Sequence, residues 1–176
     1  MSLPSVVIRE VIEELEHTAK NSPPGNFIEV GVYKGGTASY LTRIAKEQNR
    51  KVFLYDTFEG IPFTSEDKKD FHKVGDFSDT DYETVKNSLP YATVVKGIFP
   101  SSAVSMSDIA FAHIDCDQYQ SVFESVKYIL PLMVKGGIIW FDDAPDLEGA
   151  LLAVEDLFGK DNYEISKTGK IYKIVD

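Results

Sequence analysis

The stretch FIEVGVYKGGTAS, residues 27 to 39, decides how the rest of the chain is read. Apolar and β-favouring residues lead into Gly31, then Gly35 and Gly36, then a helix-forming run. That is the pattern of a strand, a tight turn and a helix N-terminus, where dinucleotide-binding folds receive a pyrophosphate. Glu29 does not suit that role, because a carboxylate there repels a diphosphate. The turn therefore raises a question of charge.

Working outward, the pattern repeats. Upstream, SVVIREVIEELEHTAK (5–20) spaces Val6, Val7, Ile8, Val11, Ile12 and Leu15 as one face of an amphipathic helix within an N-terminal segment 1–22, and NSPPG stops it. Downstream, a helix near 37–48 is followed by a strand at KVFLYD (51–56), a helix at 81–89 and a strand at ATVVKG (92–97). IAFAHID (109–115) reads as a strand, 119–133 as a helix, GGIIWFDD (136–143) as a strand and 147–158 as a helix. YEIS and IYKIV, separated by Lys167, Thr168, Gly169 and Lys170, read as a closing hairpin. Strands alternating with helices, the strands apolar throughout, predict an α/β, Rossmann-like fold. It is expected to be one domain over residues 1–176, with a mostly parallel seven-stranded sheet, a C-terminal antiparallel hairpin and helices on both faces. Residues 60–79 form the one long irregular segment, a candidate lid loop.

Composition narrows the partners. With 18 Lys and Arg against 28 Asp and Glu, the net charge is −10, which disfavours nucleic acid and anionic membrane because phosphate neutralisation needs clustered cations. Cys116 is the single cysteine, so no intrachain disulfide can form. No apolar run reaches the length of a membrane span and no signal-peptide pattern opens the chain. The reading is a soluble, cytoplasmic protein acting on a small molecule.

In open α/β sheets, ligands bind beyond the carboxyl ends of the strands. Here those ends carry Glu29 with Gly31, then Asp56, Gly97, Asp115, and Asp142 with Asp143. Two unpaired carboxylates ~4 Å apart repel by about 1–4 kcal/mol, so such a rim calls for a cation. S-adenosylmethionine meets that requirement: its ammonium and sulfonium balance acids, and its carboxylate suits the amides after Gly35 and Gly36. Asp56, closing the second strand, is placed to accept ribose hydroxyls. Asp115, Asp142 and Asp143, with no Cys or His among them, are hard oxygen ligands suited to Mg²⁺, Ca²⁺ or Mn²⁺ rather than zinc. Simpler roles compete: Glu29 as a satisfied structural acid, Asp56 as the cap of the DTFEG turn, and Asp142 or Asp143 as a helix cap. His113, on an apolar-flanked strand, reads as a packed core residue, as do Trp140 and Phe141.

Three other activities fit parts of this pattern. DCDQY superficially matches the Asp-x-Asp motif of Mg²⁺-dependent phosphohydrolases, but stands after the fourth strand rather than the first. A nicotinamide-dependent oxidoreductase is opposed by Glu29. A module that binds S-adenosylmethionine or its product without chemistry is the third.

EVGVYKGG, LYDTFEGIP, VVKGIFPSS, HIDCDQYQS and GGIIWFDD together resemble the macrocin-type O-methyltransferases, which act on sugar hydroxyls of macrolide antibiotics. The resemblance covers about residues 26–145. It implies a class I methyltransferase sheet, S-adenosylmethionine as donor, Mg²⁺ as cofactor and a sugar-like or other small-molecule acceptor. It further implies that Asp115, Asp142 and Asp143 hold the metal. Glu29, Gly31, Tyr33 and Thr37 would contact the donor's methionine side, Asp56 the ribose, and Gly97 with Ile98 the adenine, with Thr57 and Asp115 also counted among the donor-binding residues. Catechol O-methyltransferases, of similar fold, place a lysine three residues after the metal aspartate; Gln118 stands there in this chain. The base is then expected to be Asp115, solvent, or a residue of the 60–79 loop such as His72. Only 26 residues precede Phe27. That leaves an acceptor lid either reduced or borrowed from another subunit of a homo-oligomer.

Overall fold

The apolar strands do form one sheet. The computed structural model describes Leu3, Pro4 and residues 7–176. In chain order the elements are α1 (Arg9–Lys20), β1 (Asn26–Val30), α2 (Gly36–Glu47), β2 (Val52–Asp56), α3 (Tyr82–Ser88), β3 (Thr93–Lys96), β4 (Ile109–Ile114), α4 (Tyr119–Ile129), β5 (Met133–Phe141), α5 (Glu148–Phe158), β6 (Glu164–Ile165) and β7 (Ile171–Ile174). The seven strands lie in the order β3-β2-β1-β4-β5-β7-β6. β1 to β5 pair in parallel, and β7 runs antiparallel to both β5 and β6.

Both faces are covered because alternate strand residues feed two cores. Phe27, Leu54, Phe111 and Trp140 pack with Leu15 and Ala19 of α1 and Leu41, Ile44 and Ala45 of α2. Ile28, Tyr55, Ala112, Ile114, Ile139 and Phe141 pack with Val122, Val126 and Ile129 of α4 and Ala150, Ala153 and Val154 of α5. Burying a Leu- or Phe-sized side chain contributes about 1.5–3 kcal/mol each, so the two cores dominate the stability of the sheet.

Three boundaries differ from expectation by three residues or more. α4 stops at Ile129, and Leu130–Leu132 tighten into a 3₁₀ turn because Pro131 has no N–H for the α-helical ladder. β5 therefore begins at Met133, three residues earlier than Gly136. Helix α1 begins at Arg9 rather than at residue 5; Met1, Ser2, Ser5 and Val6 of the expected N-terminal segment lie outside the described residues.

Candidate functional site

The parallel ladders deliver the strand ends to one rim. Gly31 N–H donates to the Tyr55 carbonyl (2.9 Å), Asp115 N–H to that of Val30 (2.9 Å) and Asp142 N–H to that of Ile114 (3.0 Å). Gly31 has φ of 93°, and a Cβ on it would lie 1.7 Å from the Asp115 carbonyl oxygen, so the ends of β1 and β4 meet only because this residue is glycine. Beyond the rim lies a cavity of about 450 Å³. Gly31, Tyr33, Asp56, Thr57, Gly97, Ile98, Asp115, Asp142 and Asp143 all line it. Nine residues singled out from the sequence thus share one wall.

The half of the cavity under β1 to β3 is built from satisfied groups. Asp56 Oδ2 accepts the N–H groups of Val32 (2.7 Å) and Tyr33 (2.8 Å), and its Oδ1 accepts that of Phe58 (2.7 Å). This carboxylate stitches the glycine turn to the DTFEG turn, so the capping role holds, on a residue that also faces the cavity. Thr57 Oγ1 donates to the Gly60 carbonyl (2.7 Å). Tyr33, at φ of 50°, donates its hydroxyl to Asp79 Oδ1 (2.7 Å), and its ring meets Phe77 edge-on at 5.6 Å.

The half under β4 and β5 is not satisfied. One ligand oxygen each from Asp115, Asp142 and Asp143 can be chosen so that all lie within 4.8 Å of one another. Burial, then Asp143 and Asp142, push the Asp115 carboxyl well above its ordinary range. Burial, then Asp117 and Asp142, do the same to Asp143. Asp142 differs: burial alone would raise it, but His113 and Lys170 outweigh that and hold it low. Lys170 Nζ donates to the Asp142 carbonyl (2.5 Å) and lies 3.5 Å from Asp142 Oδ2 and 3.0 Å from Asp146 Oδ2. Asp142 Oδ1 is buried without a hydrogen-bond partner. Three close oxygens, an orphaned one and two carboxyls raised by burial and then by neighbouring acids fit a hard divalent cation.

Sequence reasoning passed over two residues of this half. Asp117 lines the cavity at φ of 61°, and its N–H donates to Asp143 Oδ2 (2.8 Å). Burial and then Asp142 push its carboxyl up to about 6. Its signal was present as the second acid of HIDCDQY. Lys170 had none, since only the pairing of β7 with β5 carries it beside Asp142.

Three expected site residues are not on the cavity wall. Glu29 is fully buried, and its Oε1 lies 2.8 Å from His113 Nδ1. Its counter-charge is therefore a histidine of the protein, which corrects the expectation that a cationic ligand alone explains an acid in the turn. Burial raises Glu29, and although burial would lower His113, Asp142 and Glu29 outweigh it and hold the imidazole well above its ordinary value. Thr37 is buried in the first turn of α2. His72 stands behind the wall, its Nε2 3.5 Å from Asp117 Oδ1 and its Nδ1 3.6 Å from Asp76 Oδ2.

The 60–79 segment folds back on itself and is tied down. Ile61 N–H donates to the Asp76 carbonyl (2.9 Å) and Gly75 N–H to that of Ile61 (3.0 Å). Asp70 Oδ1 accepts the first helical N–H of α4, from Tyr119 (2.8 Å), and Lys69 pairs with Glu148 at the start of α5. Gln118 is buried, and its Nε2 donates to the His72 carbonyl (2.7 Å). The amide at the position of the absent lysine therefore holds the loop. Gly60, Ile61, Pro62 and Phe77 give the cavity its loop wall, and Val7, Ile8 and Val11 reach it from the N-terminal side.

Residues 7–168 match the macrocin O-methyltransferase (TylF) family. The chain belongs to that family. Among curated relatives it is similar to the demethyldecarbamoylnovobiocin O-methyltransferase of Streptomyces niveus, 24% identical over 77% of this chain and 58% of the relative. It also matches the 8-demethyl-8-(2,3-dimethoxy-α-L-rhamnosyl)-tetracenomycin-C 4′-O-methyltransferase of Streptomyces olivaceus, 23% identical over 83% of this chain. The chain spans 58% and 62% of the lengths of these two proteins. The solved O-methyltransferase NovP shares the fold at a TM-score of 0.81, with 21% identity over 94% of this chain and 79% of that one. The calicheamicin methyltransferase CalS11 does so at 0.76, with 19% identity over 94% and 77%. Family membership leaves the phosphohydrolase and oxidoreductase readings without support. No helix among the described residues is long and apolar enough to cross a membrane.

Proposed function

We propose that this chain transfers a methyl group from S-adenosylmethionine to a hydroxyl of a sugar-like small molecule, with Mg²⁺ as cofactor. One observation carries the reading: the glycine turn, the acid of the second strand and the Asp115, Asp142, Asp143 cluster converge on a single cavity. Gly31, Tyr33, Asp56 and Thr57 would hold the methionine and ribose portions of the donor, and Gly97 with Ile98 its adenine. Asp115, Asp142 and Asp143 would hold the metal, which when bound polarises a hydroxyl and makes it easier to deprotonate. Asp117 faces the same cavity with His72 behind it and is the base that accepts the hydroxyl proton. The acceptor oxygen forms its bond to the methyl carbon as the carbon–sulfur bond breaks, and the electron pair stays on a neutral thioether. The rhamnosyl acceptor in the name of the tetracenomycin-C 4′-O-methyltransferase supports the class of hydroxyl.

The test is direct. The purified protein is given S-adenosylmethionine labelled in its methyl group, Mg²⁺ and a panel of glycosides, and labelled product is sought with and without EDTA. Label transfer that EDTA abolishes is expected. Retention of S-adenosylhomocysteine with no transfer to any glycoside would favour the binding-module reading instead, and no affinity for either nucleoside would end both.

A further inference from the structure

The glycine turn of this family invites the reading that its acid serves the donor. The geometry points to a different assignment: we propose that Glu29 and His113 are positioning residues for the metal cluster, acting on Asp142, and that the donor does not meet the Glu29 carboxylate. The proposal rests on the functional reading above and deepens it.

Four observations carry it. First, Glu29 and His113 have no exposed surface, and neither lines the cavity, whereas Gly31, two residues beyond Glu29, does. Second, Glu29 and His113 are direct partners in the β1–β4 ladder, so their 2.8 Å contact is set by strand register. Third, that contact engages Nδ1 and turns Nε2 of the same ring toward Asp142 Oδ1, 3.8 Å away. Fourth, His113 Nε2 and Asp142 Oδ1 are both buried without a hydrogen-bond partner, so each is available to the other. On its other side Asp142 faces Lys170, 3.5 Å from Oδ2. The carboxylate is thereby held between an imidazole and an ammonium, and the imidazole is aimed by Glu29.

The physical consequence follows from how metal ligands are oriented. Groups behind a ligand fix its direction, and losing one typically costs about 10–100-fold in metal affinity. Glu29 gives one oxygen to His113, and its Oε2, though without a hydrogen-bond partner, is buried off the cavity wall, so the carboxylate has no comparable hold on a ligand in the cavity.

Glu29→Gln and His113→Gln separate the two assignments, because both nearly preserve volume. S-adenosylhomocysteine binding is followed by calorimetry and Mn²⁺ binding by its paramagnetic resonance, with circular dichroism and melting to establish folding. The expected result is a Mn²⁺ dissociation constant raised about 10–100-fold in both variants, with S-adenosylhomocysteine affinity changed less than about threefold. Glu29→Gln protein that loses about tenfold or more in S-adenosylhomocysteine affinity but keeps its Mn²⁺ affinity would overturn the proposal. So would a wild-type protein that binds S-adenosylhomocysteine but no Mn²⁺. Wild-type protein that binds Mn²⁺ but no S-adenosylhomocysteine would end the donor reading and leave this inference to be decided by the Mn²⁺ values. Should the variants fail to fold, the wild-type protein still decides. Its three histidines are labelled with ¹⁵N, and the ring nitrogens of His113 should shift with Mg²⁺ more than with S-adenosylhomocysteine. The reverse order would refute the assignment.

Discussion

Two aspartates on the same rim, Asp56 and Asp115, have opposite surroundings. Asp56 accepts three backbone N–H groups at 2.7–2.8 Å, from Val32, Tyr33 and Phe58. Asp115 is half-buried beside Asp142 and Asp143, and burial, then those two acids, raise it well above its ordinary range. A carboxylate that has its donors is part of the architecture. One crowded by like charge weakens the fold unless something positive arrives. The difference separates a residue that builds this cavity from residues that the proposed chemistry would use.

The largest expected effect follows from the second kind. Asp115→Ala should lower methyl transfer by about 100-fold or more, as loss of a metal ligand does, while the protein melts no earlier than wild type because a repulsion has been removed. Activity within twofold of wild type, measured by label transfer, would take this carboxylate out of the chemistry. Asp56→Ala should reverse the balance and cost stability first. Three backbone donors losing a charged acceptor amount to roughly 2–4 kcal/mol, or about 5–12 °C in melting temperature for a chain of this size. A melt unchanged from wild type would make Asp56 a ligand contact only.

Metal addition probes both halves at once. At a Mg²⁺ concentration about 100 times its dissociation constant, wild-type protein should gain about 2.7 kcal/mol, read as a higher melting temperature that EDTA reverses. Asp56→Ala should show the same gain and Asp115→Ala none; equal gains in all three proteins would place the cation elsewhere.

The smallest effect sits at the edge of the site. Glu14 of α1 accepts the N–H groups of Lys167 and Thr168 (both 2.8 Å) and the hydroxyls of Thr168 (2.5 Å) and Ser166 (3.0 Å), fastening the hairpin turn that carries Thr168 to the cavity. Burial alone would raise this carboxyl, but the Thr168 hydroxyl and the other donors outweigh it and hold it below its ordinary value. A lowered folded pKa means the contribution is present above the unfolded value of about 4.3 and fades as pH falls through the folded one. Glu14→Gln should therefore cost about 1 kcal/mol at pH 7, and its melting difference from wild type should shrink below about pH 4. A difference independent of pH would assign the loss to shape rather than charge.

What could be read from the chain alone has a common cause. Parallel strands in an α/β sheet end on one rim, so Gly31, Asp56, Gly97, Asp115, Asp142 and Asp143 could be placed together without knowing any distance. Period and turn chemistry located the strands to within a few residues, failing where Pro131 cut α4 short and released three residues to β5. Nothing in the local pattern assigned partners. Glu29 and His113 are 84 residues apart, and their contact exists because the β1–β4 register sets them side by side. Lys170 reaches Asp142 because β7 turns antiparallel to β5, and Gln118 holds the loop because that loop packs on the start of α4. The sequence by itself determined which residue types stand at the strand ends, since hydrophobic periodicity places those ends. Only the tertiary structure decided which acids have their charge answered by the protein and which do not, because that depends on long-range neighbours brought within a few ångströms, where Coulomb and hydrogen-bond energies become large.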